Sequence, residues 1–153
     1  MKTTNKPAFE LVLEKVINAP RERVYAAWAN PEEIKRWFAP KPYTLIVKQM
    51  DFKPNGTFQM AMRAPDGMEH SFGGRYREIV PPEKLVWTGE FTNGPADQIR
   101  TEVNFEAQGT KTKVKARQTF SVLTPETEPA TKGAKEGWTM TLNQLEAHCG
   151  SKG

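Results

Sequence analysis

Apolar positions along this chain recur with two different periods. Between residues 130 and 149, Ala134, Trp138, Thr141, Leu142, Leu145 and Cys149 return at steps of three and four, which gathers them on one face of a helix. Lys135, Glu136, Asn143, Gln144 and Glu146 fall mostly on the other side. Nearly everything before this stretch alternates with a period of two, as half-buried strands do. The two patterns predict an α+β domain, a curved antiparallel sheet closed around one long C-terminal helix.

The elements can be placed in order. Phe9 to Asn18 alternates, with Phe9, Leu11 and Leu13 on one face, and Val16-Ile17 breaks the pattern as a bulge or strand end would. Pro20 suits the first turn of a short helix that buries Val24, Ala27 and Trp28. Asn30-Pro31 breaks the chain and starts a second short helix through Phe38, carrying Ile34, Trp37 and Phe38. Strands follow at 45–52, 57–63, 68–80 and 85–91. Turns are signalled at Lys53-Pro54-Asn55-Gly56, with Gly56 as the residue free to take positive φ, and at Ala64-Pro65-Asp66-Gly67. Gly73-Gly74 predicts a bulge or sharp bend inside the third of these strands. Residues 99–107 and 110–120 form the clearest hairpin, joined at Gln108-Gly109. That loop sets Glu106 opposite Lys111 and Glu102 opposite Lys115, so the lysine stripe reads as a solvated face of cross-strand charge pairs. In the long helix, Gly133 and Gly137 each cost about 1 kcal/mol against alanine. Gly137 is read as a close approach of helix to sheet that seats Trp138 deeply. Thr124 or Thr131 would cap its start, Pro129 suits the first turn, and Gly150 would end it.

Composition narrows the function classes. A chain of 153 residues, 37% hydrophobic and 26% charged, is expected to be one globular domain over 1–153 with an ordered core at about 9–149. No apolar run reaches the roughly 18 residues of a membrane span. No secretory leader is legible at the start, and the single Cys149 has no partner for a disulfide, so a cytoplasmic location is expected. The net charge of +4 is spread among acids, and nucleic acid is not expected as a partner. One cysteine and two distant histidines make no zinc cluster, and no phosphate loop, dinucleotide fingerprint or nucleophile elbow is present. No cofactor, metal or catalytic residue is therefore assigned.

What remains is apolar and aromatic. Trp37, Phe38, Met60, Met62, Phe72, Trp87, Phe91, Phe105, Trp138 and Leu142 are candidates to line a pocket, though the same side chains would equally fill a solid core. The polar candidates are Tyr76, Gln118, Thr101, Glu90 and His70. His70, just past a turn, reads as a rim or surface residue. A buried Glu90 could serve as an acid or base, but strand parity leaves its direction open. His148 in the last helical turn suits the helix dipole.

Three motifs line up across nearly the whole chain: WANPEEIKRWFAP, FGGRYREIVPPEKLVWTGEF and EGWTMTLNQLEAH. Together they resemble the family of homologues of the activator of the heat-shock-protein-ninety ATPase, within the START and birch-pollen-allergen-like (Bet v 1-like, SRPBCC) superfamily. The resemblance implies a helix-grip fold, a seven-stranded sheet gripping the C-terminal helix with two short helices after the first strand. It also implies a cavity between sheet and helix, lined by the candidates above with Tyr76 and Gln118, for a small lipid-, sterol- or polyketide-like molecule. The alternatives it carries are a chaperone-ATPase-activator-like interaction module and, third, a cyclase- or hydrolase-type enzyme in the same cavity. The name-giving co-chaperones carry a further N-terminal domain. Only about eight residues precede the first expected strand here, which sets small-molecule binding ahead of a chaperone partner.

Overall fold

The computed structural model describes residues 9–91, 99–120 and 128–150. Its elements run β1 (Phe9–Ile17), α1 (Arg21–Ala29), α2 (Pro31–Trp37), β2 (Thr44–Met50), β3 (Thr57–Arg63), β4 (Glu69–Val80), β5 (Lys84–Phe91), β6 (Ile99–Gln108), β7 (Lys111–Phe120) and α3 (Glu128–Gly150). The strands make one antiparallel seven-stranded sheet in the order β1-β7-β6-β5-β4-β3-β2.

That order corrects the expectation of a curved sheet wrapped and closed around the helix. The sheet is open, with β1 and β2 as its two edges, not hydrogen-bonded to each other. The reason lies in the connection between them. It consists of α1 and α2, whose buried Val24, Ala27, Trp28, Ile34 and Trp37 must pack on the core. α2 packs beside β2, and α3 rests against β1, α1 and α2. The helices thus cover one face of an open sheet.

Local chemistry explains the elements. Asn30 ends α1 and caps α2, its Oδ1 accepting from the Glu32 backbone N–H at 2.8 Å, with Pro31 at the first helical position. Glu32 and Glu33 occupy the first turn of α2 and Lys35 and Arg36 the last, complementing the helix dipole. Along α3, Thr141, Leu142, Leu145 and Cys149 are buried and Trp138 is half-buried, as the helical spacing predicts. Ala134, Thr131 and Thr124 lie outside the residues whose side chains are described, and α3 runs through Gly150.

Several details depart from the sequence pattern. β1 pairs regularly with β7 through Ile17, with no bulge at Val16. Lys15 sits on the inward row and reaches α3, its Nζ 3.1 Å from Glu146 Oε1, while Val16 turns outward. A lysine stem can lie along apolar surface and keep its charge at the rim. In the first strand–strand turn it is Asn55, not Gly56, that takes positive φ (66°). The β6–β7 turn is Gly109-Thr110, with Gly109 at φ 64°. The register is therefore two residues from expectation: Glu106 faces Lys113 and Glu102 faces Arg117. A two-residue shift preserves the faces. The outer face still carries charge pairs, Lys113 with Glu106 and Glu14, and Arg117 with Glu10. Exposed pairs of this kind contribute little stability each.

Gly73 and Gly74 pair in register with both neighbouring strands, so no bulge lies there. The irregularity of β4 falls instead between Tyr76 and Glu78. The two glycines answer to crowding: a Cβ on Gly74 would lie 2.0 Å from the Thr88 carbonyl oxygen, and one on Gly73 2.9 Å from that of Phe58.

Candidate functional site

A hollow of about 360 Å³ lies between the inner face of the sheet and α3. Its sheet wall comes from β3 to β7, with Phe58, Met62, Phe72, Trp87 and Phe120 as the large apolar members. Phe38 and Pro40, just past α2, and Gly137, Trp138 and Thr141 of α3 close the other side. A smaller space of about 30 Å³ adjoins it, bounded by Trp28, Met60 and Tyr76 and sharing Phe38, Phe58, Phe72 and Trp87 with the main hollow.

Hydrogen bonds from α3 hold the α2 side of the hollow. Gln144 Nε2 donates to the Trp37 and Ala39 carbonyls at 2.7 and 2.8 Å, and its Oε1 accepts from the Lys41 backbone N–H at 3.0 Å. Thr141 Oγ1 donates to the Phe38 carbonyl at 3.0 Å. The last carbonyls of a helix need such partners, and here α3 supplies them. The segment carrying Phe38 and Pro40 is thereby fixed against it.

Gly137 lines the hollow on that side. Among the described residues a Cβ there would meet only Pro40 Cγ, at 3.9 Å. The close helix–sheet approach expected at Gly137 is therefore absent. The glycine leaves space, and Trp138 is half-buried beside it rather than deeply seated.

The sequence candidates divide by place. Phe38, Met62, Phe72, Trp87, Gln118 and Trp138 come together around the main hollow. Met60 and Tyr76 bound the smaller space, and burial pushes the Tyr76 phenol well above its usual range. Trp37, Phe105 and Leu142 are buried in the core and line neither space. Trp37 donates its indole N–H to the Ala27 carbonyl at 3.1 Å. Phe91 and Glu90 end β5 with side chains outside the described residues. His70 is exposed at the rim, its ring 6.1 Å from that of Tyr43. Phe58, Phe120 and Ile99 were missed. Strand parity could have found the first two, since Phe58 shares a face with Met60 and Met62, and Phe120 with Gln118.

The polar groups of the lining are few. Gln118 Nε2 donates to Thr101 Oγ1 at 3.2 Å, and Thr101 is buried while Gln118 is half-buried. Trp28 Nε1 and Tyr25 Oη are buried without a hydrogen-bond partner among the described residues.

A second polar cluster lies where α1, α2 and the end of α3 meet. Glu33 Oε1 is 2.6 Å from Arg23 Nη1 and 2.9 Å from His148 Nε2. His148 is thus tied to α2 as well as to its own helix end, a contact that spacing along one helix cannot show. Burial raises the Glu33 carboxyl, but the hydrogen bonds from His148 and Arg23 outweigh it and hold the group below its usual value. Cys149 beside them is buried, which pushes its thiol up to about 11. A lowered carboxyl in the folded state contributes stability above its unfolded value of about 4.3, lost as pH falls through the folded value. The melting temperature should therefore drop on acidification below about pH 4, and drop less in Glu33→Gln; equal acid curves for the two proteins would contradict this.

Among the described residues no helix is long and apolar enough to cross a membrane, and no three His, Cys, Asp or Glu side chains are grouped to hold a metal ion.

Known proteins place this arrangement. A family model described as "Activator of Hsp90 ATPase homolog 1-like protein" matches residues 18–150. The chain belongs to that family. The resemblance carried by the three sequence motifs is thus confirmed over most of the chain. A crystal structure of a Chromobacterium violaceum protein is 28% identical, with a TM-score of 0.83, over 94% of this chain and 99% of the other. A Rhizobium leguminosarum protein is 30% identical with a TM-score of 0.68, over 94% and 95% of the two chains. The solution structure of an AHSA1-like protein from Aeromonas hydrophila, 23% identical with a TM-score of 0.72 over 92% and 91%, shares the fold. No curated protein matches the chain.

Proposed function

We propose that this chain binds a small, largely apolar molecule in the hollow between sheet and α3. The single observation behind this reading is the space itself. At about 360 Å³ it falls within the range of small-molecule sites, and its lining is mostly aromatic and apolar with a few placed polar groups. Native mass spectrometry of freshly purified protein should reveal a copurified small molecule. Gly137→Leu puts a side chain into the space that Gly137 lines. It should keep or raise the melting temperature, since a helix-interior glycine costs about 1 kcal/mol, and it should abolish the adduct. An adduct that persists unchanged in this variant, or the lack of any adduct and of any thermal shift with lipid-like ligands, would count against the reading.

The family description favours a second reading, and the comparisons back it better than the first: a chaperone-activator-like interaction module. It predicts that the purified chain raises the ATP turnover of a heat-shock-protein-ninety chaperone from the same organism. Unchanged turnover at saturating concentration would remove it.

A further inference from the structure

The lining of the hollow carries a selection rule for its ligand, an inference that rests on the small-molecule reading above. None of the described lining residues is an Asp, Glu, Lys or Arg. The lysines and arginines of β6 and β7 alternate onto the opposite face, where carboxylates answer them. His70 stands exposed at the rim. A carboxylate or ammonium carried into this space would leave water and meet no counter-charge among these residues, which is strongly unfavourable.

His70 and Ser71 are exposed at the rim, and Thr141 spends its hydroxyl hydrogen on the Phe38 carbonyl. The remaining polar break in the described wall is the pair Gln118 and Thr101. Gln118 and Thr101 lie directly opposite each other on β7 and β6, with Trp87 next in the same row on β5. The 3.2 Å bond from Gln118 Nε2 to Thr101 Oγ1 uses one amide hydrogen. The amide keeps a second N–H and its carbonyl oxygen. The pair therefore offers a donor and an acceptor side by side, anchored from behind by a buried hydroxyl. Around it stand Phe38, Phe72, Trp87 and Trp138, surfaces suited to a flat ring.

We propose that the hollow selects an uncharged molecule with a flat aromatic body, and that the Gln118 amide, held by Thr101, reads its one carbonyl or hydroxyl group. Gln118 is the specificity-determining residue. A ketone, phenol or amide fits; a carboxylate of the same shape is rejected.

Three probes of one shape test this on the full chain by calorimetry at pH 7: naphthalene, 2-acetylnaphthalene and 2-naphthoate. The ketone should bind at least about tenfold more tightly than the anion and more tightly than the bare hydrocarbon, a step of one good hydrogen bond. In Gln118→Met, which keeps the length but not the amide, the ketone should fall to the level of naphthalene while naphthalene itself is unchanged. In Gln118→Lys the order should invert, with naphthoate bound best, an outcome that loss of structure cannot produce. Naphthoate binding as well as the ketone in the unaltered protein, or Gln118→Met weakening all three equally, would overturn the proposal and leave the hollow as a binding site. Failure of all three probes to bind would overturn the proposal, and the small-molecule reading would then rest on the copurified adduct alone.

Discussion

Trp28→Ala should cost about 3–5 kcal/mol, the range for a large aromatic removed from a core. Trp28 is 2% exposed, and its ring touches rings from every layer of the molecule. Between ring centroids it lies 4.7 Å from Trp37, edge-on, 5.9 Å from Phe105 of β6 and from Trp87 of β5, and 6.4 Å from Trp138 of α3, whose ring runs near-parallel. Truncation removes the group on which α1, α2, the sheet and α3 converge. Net stabilities of domains are about 5–15 kcal/mol, so the loss would take a large share. Chemical denaturation should show it as a lower midpoint, and near-ultraviolet circular dichroism as a weaker aromatic signal. Trp28→Phe separates packing from hydrogen bonding. The Trp28 indole N–H has no partner among the described residues, so deleting it removes an unfavourable buried donor. Trp37→Phe, by contrast, deprives the Ala27 carbonyl of its donor. Trp28→Phe should therefore be the milder of the two. A Trp28→Ala protein within 1 kcal/mol of the original would mean that the ring cluster does not organise the core, against the expected range.

The same cluster shows how far the chain could be read. Order and type of every element were legible, because hydrophobic period, the prolines at 20 and 31 and the glycines at 67 and 109 all act locally. The stripe on α3 was legible for the same reason: Leu142, Leu145 and Cys149 are buried because a helix repeats every 3.6 residues. Closure of the sheet was not legible. Whether β1 meets β2 depends on what the α1–α2 connection does in space, and alternation along a strand carries no information about which edge stays open. Register failed for a related reason. The β6–β7 turn could use Gln108-Gly109 or Gly109-Thr110, and both keep every side chain on its proper face.

The site divides along the same line. Aromatic and methionine side chains could be listed by type, which gave Met62, Phe72 and Trp87; parity along the same strands would have added Phe58 and Phe120. Which of them border empty space and which are packed solid is a property of the whole assembly. Trp37 and Phe38 are neighbours in sequence, yet one is bound into the core and the other faces the hollow. Gln144 was assigned to the outer face of α3 by spacing. Its three hydrogen bonds to the end of α2 and the segment after it span more than a hundred residues, and no local pattern encodes them. Gly137 carries the same lesson: a helix-interior glycine signals missing volume, but only the neighbour's position tells whether backbone or open space takes it.

At Gly74 backbone takes that volume, and the second large effect follows. Gly74→Ala should destabilise the protein by about 3 kcal/mol, at or above the upper end of ordinary overpacking. Gly74 of β4 lies directly opposite Gly89 of β5, and the two strands meet without side chains at that point. The added methyl would sit 2.0 Å from the Thr88 carbonyl oxygen and 2.9 Å from the Gly89 Cα. Both are backbone atoms held in a sheet ladder, so neither can rotate aside as a flexible side chain could. Relief requires the β4–β5 pair to separate, and this pair supplies Phe72, Gly73, Trp87 and Gly89 to the hollow. The variant should therefore lose ligand as well as stability. Gly67→Ala is the control: its neighbourhood is open, though its φ of 94° is strained for alanine. The cost there should be about 1 kcal/mol, a backbone cost alone, with ligand binding retained. Thermal melts of the two variants side by side should separate crowding from conformation. Equal losses would mean that the sheet yields at Gly74 more readily than its backbone contacts allow.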